Sequence, residues 1–309
     1  MIRVTPLIQP PPGAGLGAVW LKLENLQRTA SFKLRGAVRA VAALTEADRR
    51  AGVVAASAGN HGAAMALACR AERVSITVVV SRAAPEVKRA AIAALGANLV
   101  VDGADYDEAE GIARALAASR GARFVSPFDD EAVIEGNGGD LARELLAQAP
   151  ELRRVVVPVG GGGMAAGLAR VLAPRGIEVV GVQPEVNCAM RDSLRQGRAL
   201  TVYTGGDTIA DALAGACGAL TYELCARHGV QVEVVSEADL RRAVALLYRE
   251  VGTIAEASGA AAVAGLMTGA VRAAETGVTV AVVSGGNIDA ERLDAIVAYH
   301  GGDDGGSAP

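Results

Sequence analysis

The chain of 309 residues contains very little lysine. Its Lys+Arg total is 30, yet the only lysines are Lys22, Lys33 and Lys88, and every other basic residue is an arginine. Arginine keeps its proton at neutral pH, whereas a desolvated lysine can lose its proton and attack a carbonyl carbon. A lone lysine is usually a solvated surface charge. The residues around each lysine therefore decide between these two interpretations.

Aromatic residues are also scarce, at 3% of the sequence, and the net charge is −4. With no basic cluster and few aromatic residues, the composition argues against binding of nucleic acid, stacked bases or anionic lipid. The N-terminus lacks the apolar region of a signal peptide. The uncharged run of small residues at 257–271 is shorter than the about 20 residues that a membrane span needs. We therefore expect a cytoplasmic protein with no nucleic-acid or membrane partner.

The cysteines form no CxxC pair and no zinc-binding spacing. They are Cys69, Cys188, Cys217 and Cys225. We expect them to be buried free thiols, because disulfides are rare in a reducing compartment. Since hydrophobic residues make up 51% of the sequence and aromatics only 3%, the core must consist mainly of alanine, valine, leucine and isoleucine.

Short apolar runs alternate with alanine-rich helical patterns along almost the whole chain. Runs without polar alternation, such as Ile-Thr-Val-Val-Val at 76–80, suit parallel strands that are covered on both faces. The alternation predicts an α/β fold with doubly wound sheets. Strands are predicted at 19–23, 53–56, 75–80, 98–101, 123–125, 155–159, 178–182, 232–235 and 278–283. Helices are predicted to begin near Ser31, Asn60, Pro85, Asp105, Glu131, Met164, Glu237, Ser258 and Asp289.

Four segments place chemically useful residues where a predicted strand ends or a predicted helix begins, which is where open α/β sheets bind ligands. In the first segment, 29–36, Ser31 can cap a helix whose first turn carries Lys33. In the second, 57–62, glycines permit close approach of the backbone, and the amides that begin the next helix can bind a carboxylate. Taken alone, this second segment is equally well explained as an ordinary turn.

The third segment, 155–164, runs from an apolar strand into four successive glycines and then a helix. Because the turn has no side chains, several of its amides can face one phosphate. The spacing fits neither the dinucleotide fingerprint nor a Walker loop, so a single phosphate is favoured over a pyrophosphate. A flexible linker is the less favoured alternative, because an apolar strand precedes the glycines and a helix follows at once. The fourth segment, 283–287, places the neutral hydroxyl of Ser284 after the last strand. An imine-forming lysine, a phosphate turn, an anion-binding turn and a neutral hydroxyl together describe a pyridoxal phosphate site.

In combination, these motifs resemble the serine/threonine dehydratases, which are fold-type II (tryptophan synthase β-like) pyridoxal phosphate enzymes. The resemblance covers nearly the whole chain, and its matching segments are 24–37, 57–62, 160–164, 208–211, 256–260 and 284–287. It implies two doubly wound open-sheet domains with the cofactor in the cleft between them. The large domain would contain 1–50 and 130–300, and the small domain 51–129. A homodimer is implied as well. Residues 301–309 are glycine-rich, and we expect a disordered tail there.

The resemblance also implies a role for each residue of the site. Lys33 would hold pyridoxal phosphate covalently as a Schiff base, beside Phe32. Asn60 would hydrogen-bond the cofactor's 3-hydroxyl, and Ser284 would meet its pyridine nitrogen. The phosphate would be wrapped by Gly160, Gly161, Gly162, Gly163 and Met164. The substrate carboxylate would be bound by Ser57, the Ala58 amide and His61.

Two departures from the family pattern bear on the activity. Serine racemases of this family have a second serine where this chain has Ala58, and that hydroxyl protonates Cα from the opposite face. Members with a divalent-ion site use two acidic residues at positions that correspond to Gln183 and Ala189. Because Mg²⁺ and Ca²⁺ need anionic oxygen ligands, we expect no metal site of that kind.

These features together predict β-elimination of a β-hydroxy amino acid, such as L-threonine or L-serine, to a 2-oxo acid and ammonia. Alanine at position 58 removes the acid that racemisation needs, so elimination is favoured over an amino-acid racemase. A racemase or β-replacement enzyme on the same scaffold is the first alternative. A non-catalytic protein that binds pyridoxal phosphate or an amino acid is a more remote one.

Overall fold

The computed structural model of the chain describes residues 1–298, and the predicted tail at 301–309 lies outside that range. The strands within it are β1 (Leu7–Ile8), β2 (Val19–Leu23), β3 (Val53–Ala56), β4 (Ile76–Val80), β5 (Asn98–Val101), β6 (Arg123–Phe124), β7 (Leu152–Pro158), β8 (Glu178–Pro184), β9 (Gln231–Val235) and β10 (Val278–Val283). The helices are α1 (Lys33–Ala42), α2 (Glu46–Ala51), α3 (Asn60–Ala71), α4 (Glu86–Ala94), α5 (Tyr106–Arg120), α6 (Glu131–Ile134), α7 (Leu141–Gln148), α8 (Gly163–Leu172), α9 (Ala189–Gln196), α10 (Ala219–Arg227), α11 (Glu237–Leu246), α12 (Ala257–Met267) and α13 (Ala290–Ala298).

The strands form two separate sheets. The larger has the order β1-β2-β10-β7-β8-β9, and the smaller has the order β5-β4-β3-β6. All neighbouring strands are parallel except β1, which runs antiparallel to β2. Every residue of β3 and of β4 is buried, as expected for parallel strands covered on both faces. The predicted α/β fold with two open sheets is confirmed.

The smaller sheet is built only from strands between residues 53 and 124, inside the segment 51–129 that was predicted as a small domain. Helix α1 precedes that segment, yet its buried face packs into the same core: Leu34 and Val41 share a hydrophobic cluster with Val53 and Met65. The helix that begins at Lys33 is therefore attached to the smaller sheet. The domain boundaries themselves stay a prediction.

Each predicted strand overlaps an observed one, but several boundaries and helices differ. Strand β7 begins at Leu152, earlier than predicted, because two arginines obscure its apolar pattern. Helix α4 begins at Glu86, so Pro85 stands before its first turn as the N-cap. Helix α1 begins at Lys33, and Ser31 contributes there by accepting a hydrogen bond at Oγ from the Lys33 amide (3.3 Å). The helices that the sequence pattern missed are α2, α7 and α10, whereas α9 lies in the segment 187–208, for which the sequence predicts a helix and a long loop.

A buried ionic cluster fixes the N-terminal half of α1. Arg35 donates from Nε to Glu24 Oε2 (2.8 Å) and from Nη1 to Glu144 Oε2 (2.9 Å). The fully buried Lys22 donates to Glu144 and to the Thr5 carbonyl (2.8 Å). Two cations and two carboxylates are thus paired away from water, which makes the loss of any single partner costly. The cluster ties α1, and so Lys33, to β2 and α7.

The four cysteines are buried and free, as predicted. Over residues 1–298, none of the helices has both the length and the apolar character needed to cross a lipid bilayer.

Candidate active site

The four glycines predicted to bind phosphate form the turn between β7 and α8. Gly162 is the N-cap of α8 and has a left-handed backbone with φ +96°. The first helical hydrogen bond runs from the Ala166 amide to the Gly162 carbonyl (2.9 Å), and no side chain caps the helix. The amides of Gly163, Met164 and Ala165 precede that bond. They are donors at the positive end of a helix dipole, where an anion is stabilised.

The glycine turn is enclosed too tightly for side chains. A Cβ on Gly161 would overlap the ring of Phe128, and a Cβ on Gly160 would lie 2.8 Å from the Ala212 carbonyl. At Gly162 it would lie 2.5 Å from Cε of Met190. The backbone itself is therefore the lining of this turn, which is the property that a phosphate-binding turn requires.

The Lys33 amine is connected to the same turn through the segment Pro127-Phe128. Its Nζ donates to the Pro127 carbonyl at 2.7 Å and stands 5.2 Å from the centroid of the Phe32 ring. Desolvation by burial lowers the pKa of the Lys33 amine from 10.5 to about 8. Pro127 precedes Phe128, whose ring covers Gly161. Two consecutive residues, Pro127 and Phe128, thus connect the Lys33 amine, which is easily deprotonated, to the glycine turn.

The second predicted turn, residues 57–62, connects β3 to α3. Ser57 folds back so that its Oγ accepts from the Gly59 amide (3.1 Å), and Ala58 beside it is half-buried. The first hydrogen bond of the helix runs from the Ala63 amide to the Gly59 carbonyl (3.2 Å). The amides of Asn60, His61 and Gly62 come before it, so this turn ends in a second helix N-terminus that is suited to an anion.

The His61 imidazole is buried and neutral. Its Nε2 lies 3.2 Å from the Val125 carbonyl, which can only accept, so Nε2 carries the proton. Burial, followed by the nearby charge of Lys33, lowers the pKa of His61 to about 3. The other nitrogen, Nδ1, is an acceptor with no partner among the described residues. The imidazole therefore has no N–H left for a carboxylate, and only the main-chain amide of His61 could donate to one.

Asn60 is held between two side chains. Its Nδ2 donates to Glu256 Oε1 at 2.7 Å, and its Oδ1 accepts from Asn287 Nδ2 at 2.7 Å. Because Nδ2 donates and Oδ1 accepts, these contacts fix the orientation of the Asn60 amide. They use one N–H of Nδ2, and the other N–H takes no part in them. Burial, aided by the negative charge of Asp211, raises the pKa of Glu256 to about 7.

Ser284 follows β10 and is 4% exposed. Its carbonyl accepts from the Phe32 amide (3.0 Å), and its amide donates to the Gly259 carbonyl (3.2 Å). A bridge between Ser31 and Gly285 adds to this contact. The end of β10 is thus joined to the loop that carries Phe32 and Lys33. The predicted site residues therefore lie around the carboxyl ends of β3, β7 and β10.

Residues 1–285 match the family model described as pyridoxal-phosphate dependent enzyme. The chain belongs to that family. The fold-type II assignment and the pyridoxal phosphate cofactor that the sequence predicted are thereby confirmed.

Individual proteins of known activity are similar to the chain over most of its length. The L-threonine ammonia-lyase of Thermotoga maritima is 40% identical over 285 residues, which cover 91% of this chain and 70% of that protein. Among solved structures, the processed form of threonine deaminase isoform 2 from Solanum lycopersicum has a TM-score of 0.88 at 30% identity, covering 97% of this chain and 89% of that one. Serine racemase from Dictyostelium discoideum has a TM-score of 0.85 at 32% identity, covering 93% and 94%.

The residues present fit the family's cofactor. A phosphate needs several convergent donors, and the uncapped start of α8 supplies amides in a turn where side chains would clash. An aldehyde needs an amine that can lose its proton, and Lys33 has one beside that turn. Lys22, by contrast, is fully buried in the ionic cluster, and Lys88 is exposed and pairs with Asp211. Lys33 is therefore the lysine suited to the cofactor.

Sequence reasoning missed two residues that shape the site. Glu256 lies in the matching segment 256–260, but no role was predicted for it. Its carboxyl group accepts a hydrogen bond from Asn60. Phe128 was not considered, although it is one of only three phenylalanines in the chain and covers the glycine turn. The rarity of aromatic residues was the available signal for Phe128.

The absence of a divalent-ion site stays a prediction. Gln183 is buried, and its Oε1 accepts from the Arg191 amide at 3.0 Å. Within the range 1–298, no group of three or more His, Cys, Asp or Glu side chains is arranged to hold a metal ion.

Proposed function

We propose that this chain eliminates water from a β-hydroxy amino acid of the L-threonine or L-serine type, and that the resulting 2-imino acid takes up water again to give a 2-oxo acid and ammonia. The observation that carries the proposal is the position of the Lys33 amine. It donates to the Pro127 carbonyl, the next residue, Phe128, covers the glycine turn, and the pKa of the amine is lowered to about 8. The threonine ammonia-lyase and threonine deaminase among the relatives support this reaction over others of the family.

Most of the predicted site residues would hold the cofactor. Gly160, Gly161, Gly162, Gly163 and Met164 would surround its phosphate, which the amides at the start of α8 stabilise. Phe32 would pack beside it, Asn60 would donate to its 3-hydroxyl and Ser284 would meet its pyridine nitrogen. When bound, pyridoxal phosphate supplies an electron sink for the bond that breaks at Cα.

Lys33 would act both as the covalent anchor and as the base. With a pKa of about 8, a useful fraction of its amine is neutral near physiological pH. As the base, the Lys33 amine would take the proton from Cα of a bound substrate. Its hydrogen bond to the carbonyl of Pro127, the residue before Phe128, holds Nζ in one position. Positioning of this kind is a large part of general-base catalysis.

The substrate carboxylate would bind at the start of α3. Ser57, the Ala58 amide and His61 are the predicted contacts, and His61 would contribute its main-chain amide because its imidazole has no free N–H. A carboxylate at this point would also be stabilised by the helix dipole. The small-molecule partner would thus be an amino acid held by its main-chain end.

The second candidate is an amino-acid racemase, which the serine racemase among the structural neighbours favours. Racemisation needs an acid on the second face of Cα. Ala58 offers no such group, and the hydroxyl of its neighbour Ser57 is turned back toward the Gly59 amide. β-Replacement is a further alternative, and it would appear as a new product when a thiol is added.

The test is a panel of L- and D-β-hydroxy amino acids, assayed for ammonia and 2-oxo acid and, in parallel, for the chirality of the recovered substrate. Release of both products from an L-substrate of the panel supports the proposal. Racemisation without ammonia release would replace it with the second candidate. Ligand binding without any turnover would instead indicate a non-catalytic protein.

We also propose that the chain is a homodimer in the cytoplasm. Family likeness alone supports the dimer, and the four free cysteines support a reducing compartment. Mass measurement of the purified protein by light scattering would test the first, and fractionation of the source cells would test the second.

A further inference from the structure

The carbonyl of Gly161, in the glycine turn, is held by a neighbouring helix. It accepts a hydrogen bond from Oγ1 of Thr221 at 2.6 Å and a second from the amide of Gly218 at 3.2 Å. Both donors belong to the start of α10, which lies beside α8. Thr221 is fully buried, so water does not replace its hydroxyl when the contact is lost.

A fixed carbonyl also fixes the next amide. In a planar trans peptide the C=O of one residue and the N–H of the following residue point in opposite directions. When Thr221 draws the Gly161 carbonyl toward α10, the Gly162 amide must point away from α10. The left-handed backbone of Gly162 then leads into the uncapped start of α8. Thr221 therefore controls the direction of an amide at the centre of the turn.

Helix α10 does not itself offer an anion site. Oδ1 of Asp129 accepts from the amides of Leu220 (3.0 Å) and Thr221 (3.2 Å), so a carboxylate already occupies the start of the helix. Because like charges repel, that carboxylate would oppose a phosphate placed there. What α10 can offer to the glycine turn is thus the Thr221 hydroxyl and the Gly218 amide.

Thr221 also packs against the turn. A Cβ on Gly162 would lie 3.0 Å from both Cβ and Oγ1 of Thr221. The hydroxyl has one alternative acceptor, the Gly218 carbonyl at 3.1 Å, but the shorter contact is to Gly161. The packing of Thr221 and its hydrogen bond therefore both constrain the peptide between Gly161 and Gly162.

We infer that Thr221 is a positioning residue for the cofactor phosphate, acting through the Gly161–Gly162 peptide. The inference rests on the proposed role of the glycine turn as the phosphate site. It assigns a function in cofactor recognition to a residue that would touch neither the cofactor nor the substrate.

The test compares Thr221→Val, which keeps the shape and removes the donor, with Thr221→Ser, which keeps the donor. Full-length cofactor-free protein is titrated with pyridoxal phosphate and, separately, with pyridoxal, which lacks the phosphate. For Thr221→Val we expect the dissociation constant of pyridoxal phosphate to rise about tenfold, the effect of one buried hydrogen bond. The dissociation constant of pyridoxal should not change, and Thr221→Ser should restore tight binding of pyridoxal phosphate.

A matched control is Thr279→Val, which removes another buried hydroxyl, one that accepts from the Ala274 amide (2.8 Å) away from the glycine turn. It should leave both dissociation constants unchanged. The inference is overturned if Thr221→Val binds pyridoxal phosphate as the parent protein does, or if it loses affinity for both ligands equally, as a general loosening of the fold would cause. If Thr221→Val does not fold, Thr221→Ala serves in its place.

Gly162→Ala separates this inference from the proposal on which it rests. A side chain there meets Met190 and a strained backbone, so it should weaken pyridoxal phosphate binding if the turn holds the phosphate. Weakening by Gly162→Ala without weakening by Thr221→Val overturns only the role of Thr221. No effect from either variant overturns the phosphate site as well.

Discussion

Lys33 and His61 donate hydrogen bonds to carbonyls that lie two residues apart in the chain. Lys33 Nζ reaches the Pro127 carbonyl at 2.7 Å, and His61 Nε2 reaches the Val125 carbonyl at 3.2 Å. These acceptors belong to the segment that follows β6. One short stretch of backbone therefore fixes both the position of the reactive amine and the protonated nitrogen of the imidazole.

The two groups differ in what lowers their pKa. Desolvation by burial lowers the pKa of Lys33, whereas burial and then the nearby charge of Lys33 lower the pKa of His61. His61 remains neutral throughout the physiological range, with a pKa of about 3. Lys33, with a pKa of about 8, is the member of the pair that titrates near neutral pH.

The first prediction concerns Lys33. We expect Lys33→Ala to lose both the visible imine absorbance of the bound cofactor and the release of ammonia. In the parent protein, borohydride reduction should fix the cofactor on Lys33, which peptide mass mapping can identify easily because the chain has only three lysines. Lys88→Ala, at an exposed site, is the control and should still be labelled at Lys33. Labelling at Lys22 or Lys88 in the parent would contradict the assignment.

The second prediction concerns the contact between Gly161 and Phe128. A methyl group on Gly161 overlaps the Phe128 ring, so Gly161→Ala should raise the dissociation constant of pyridoxal phosphate about tenfold or more. In the background of Phe128→Ala, the ring is absent and the same change should cost less. A double-mutant cycle measured by cofactor titration should give a coupling energy of about 1 kcal/mol or more. If the effects of the two substitutions are additive, the Phe128 ring does not limit the space at Gly161.

Much of this molecule was predictable because its signals are local. Runs of four to six apolar and β-branched residues predicted β3, β4 and β10. Because parallel strands share one direction, their carboxyl ends were then expected to lie near one another. Four consecutive glycines between a strand and a helix have few structural explanations other than a turn lined by backbone. These local signals predicted the fold class and the cofactor, and they are also the basis on which Lys33 is proposed as its anchor.

What could not be predicted depends on contacts between distant residues. The π-helical segment Glu135–Asp140 reads as a loop because of its glycines, yet it is a buried part of the helix pair α6 and α7. Its glycines allow close approach of other elements: a Cβ on Gly136 would overlap the Arg35 carbonyl, and one on Gly138 the Met164 carbonyl. The contact between Asn60 and Glu256 spans 196 residues. A local sequence pattern cannot predict which distant residues come into contact.

The third prediction concerns the pH dependence of stability. The Glu256 pKa is about 7 in the folded state against an ordinary value of 4.5, so between these values the folded state binds more protons. The contribution of Glu256 to stability is therefore full below pH 4.5 and is lost as pH rises through 7. Glu256→Gln keeps an acceptor for Asn60 and cannot titrate. Relative to the parent, this variant should gain about 3 kcal/mol of unfolding free energy between pH 4.5 and 8.

The measurement for Glu256→Gln is urea unfolding of both cofactor-free proteins across that pH range. Charged groups that act on Glu256 are Asp211, Lys88 and Arg292, and the substitution leaves them in place. If the unfolding free energies of variant and parent run parallel from pH 4.5 to 8, the carboxyl does not titrate in this window and the burial argument fails.

The fourth prediction tests why elimination is favoured over racemisation. Ala58 lies between Ser57 and Gly59 at the start of α3, where it has no group that can deliver a proton. Ala58→Ser would place a hydroxyl there, and a positioned acid contributes about 10²-fold or more to a proton transfer. We therefore expect the ratio of racemised substrate to 2-oxo acid to rise about 10²-fold, measured by chiral chromatography of recovered L-serine.

The matched control for Ala58→Ser is Ala58→Gly, which changes the size of the residue without adding a hydroxyl and should leave that ratio unchanged. Lys33 remains in both variants, so removal of the Cα proton on its face continues and any new D-serine reports proton delivery from the opposite face. An equal rise in both variants would mean that space around Cα, rather than the acid, determines the outcome. No rise in either would mean that residue 58 does not face Cα, and the proposed position of the substrate at the start of α3 would have to be abandoned.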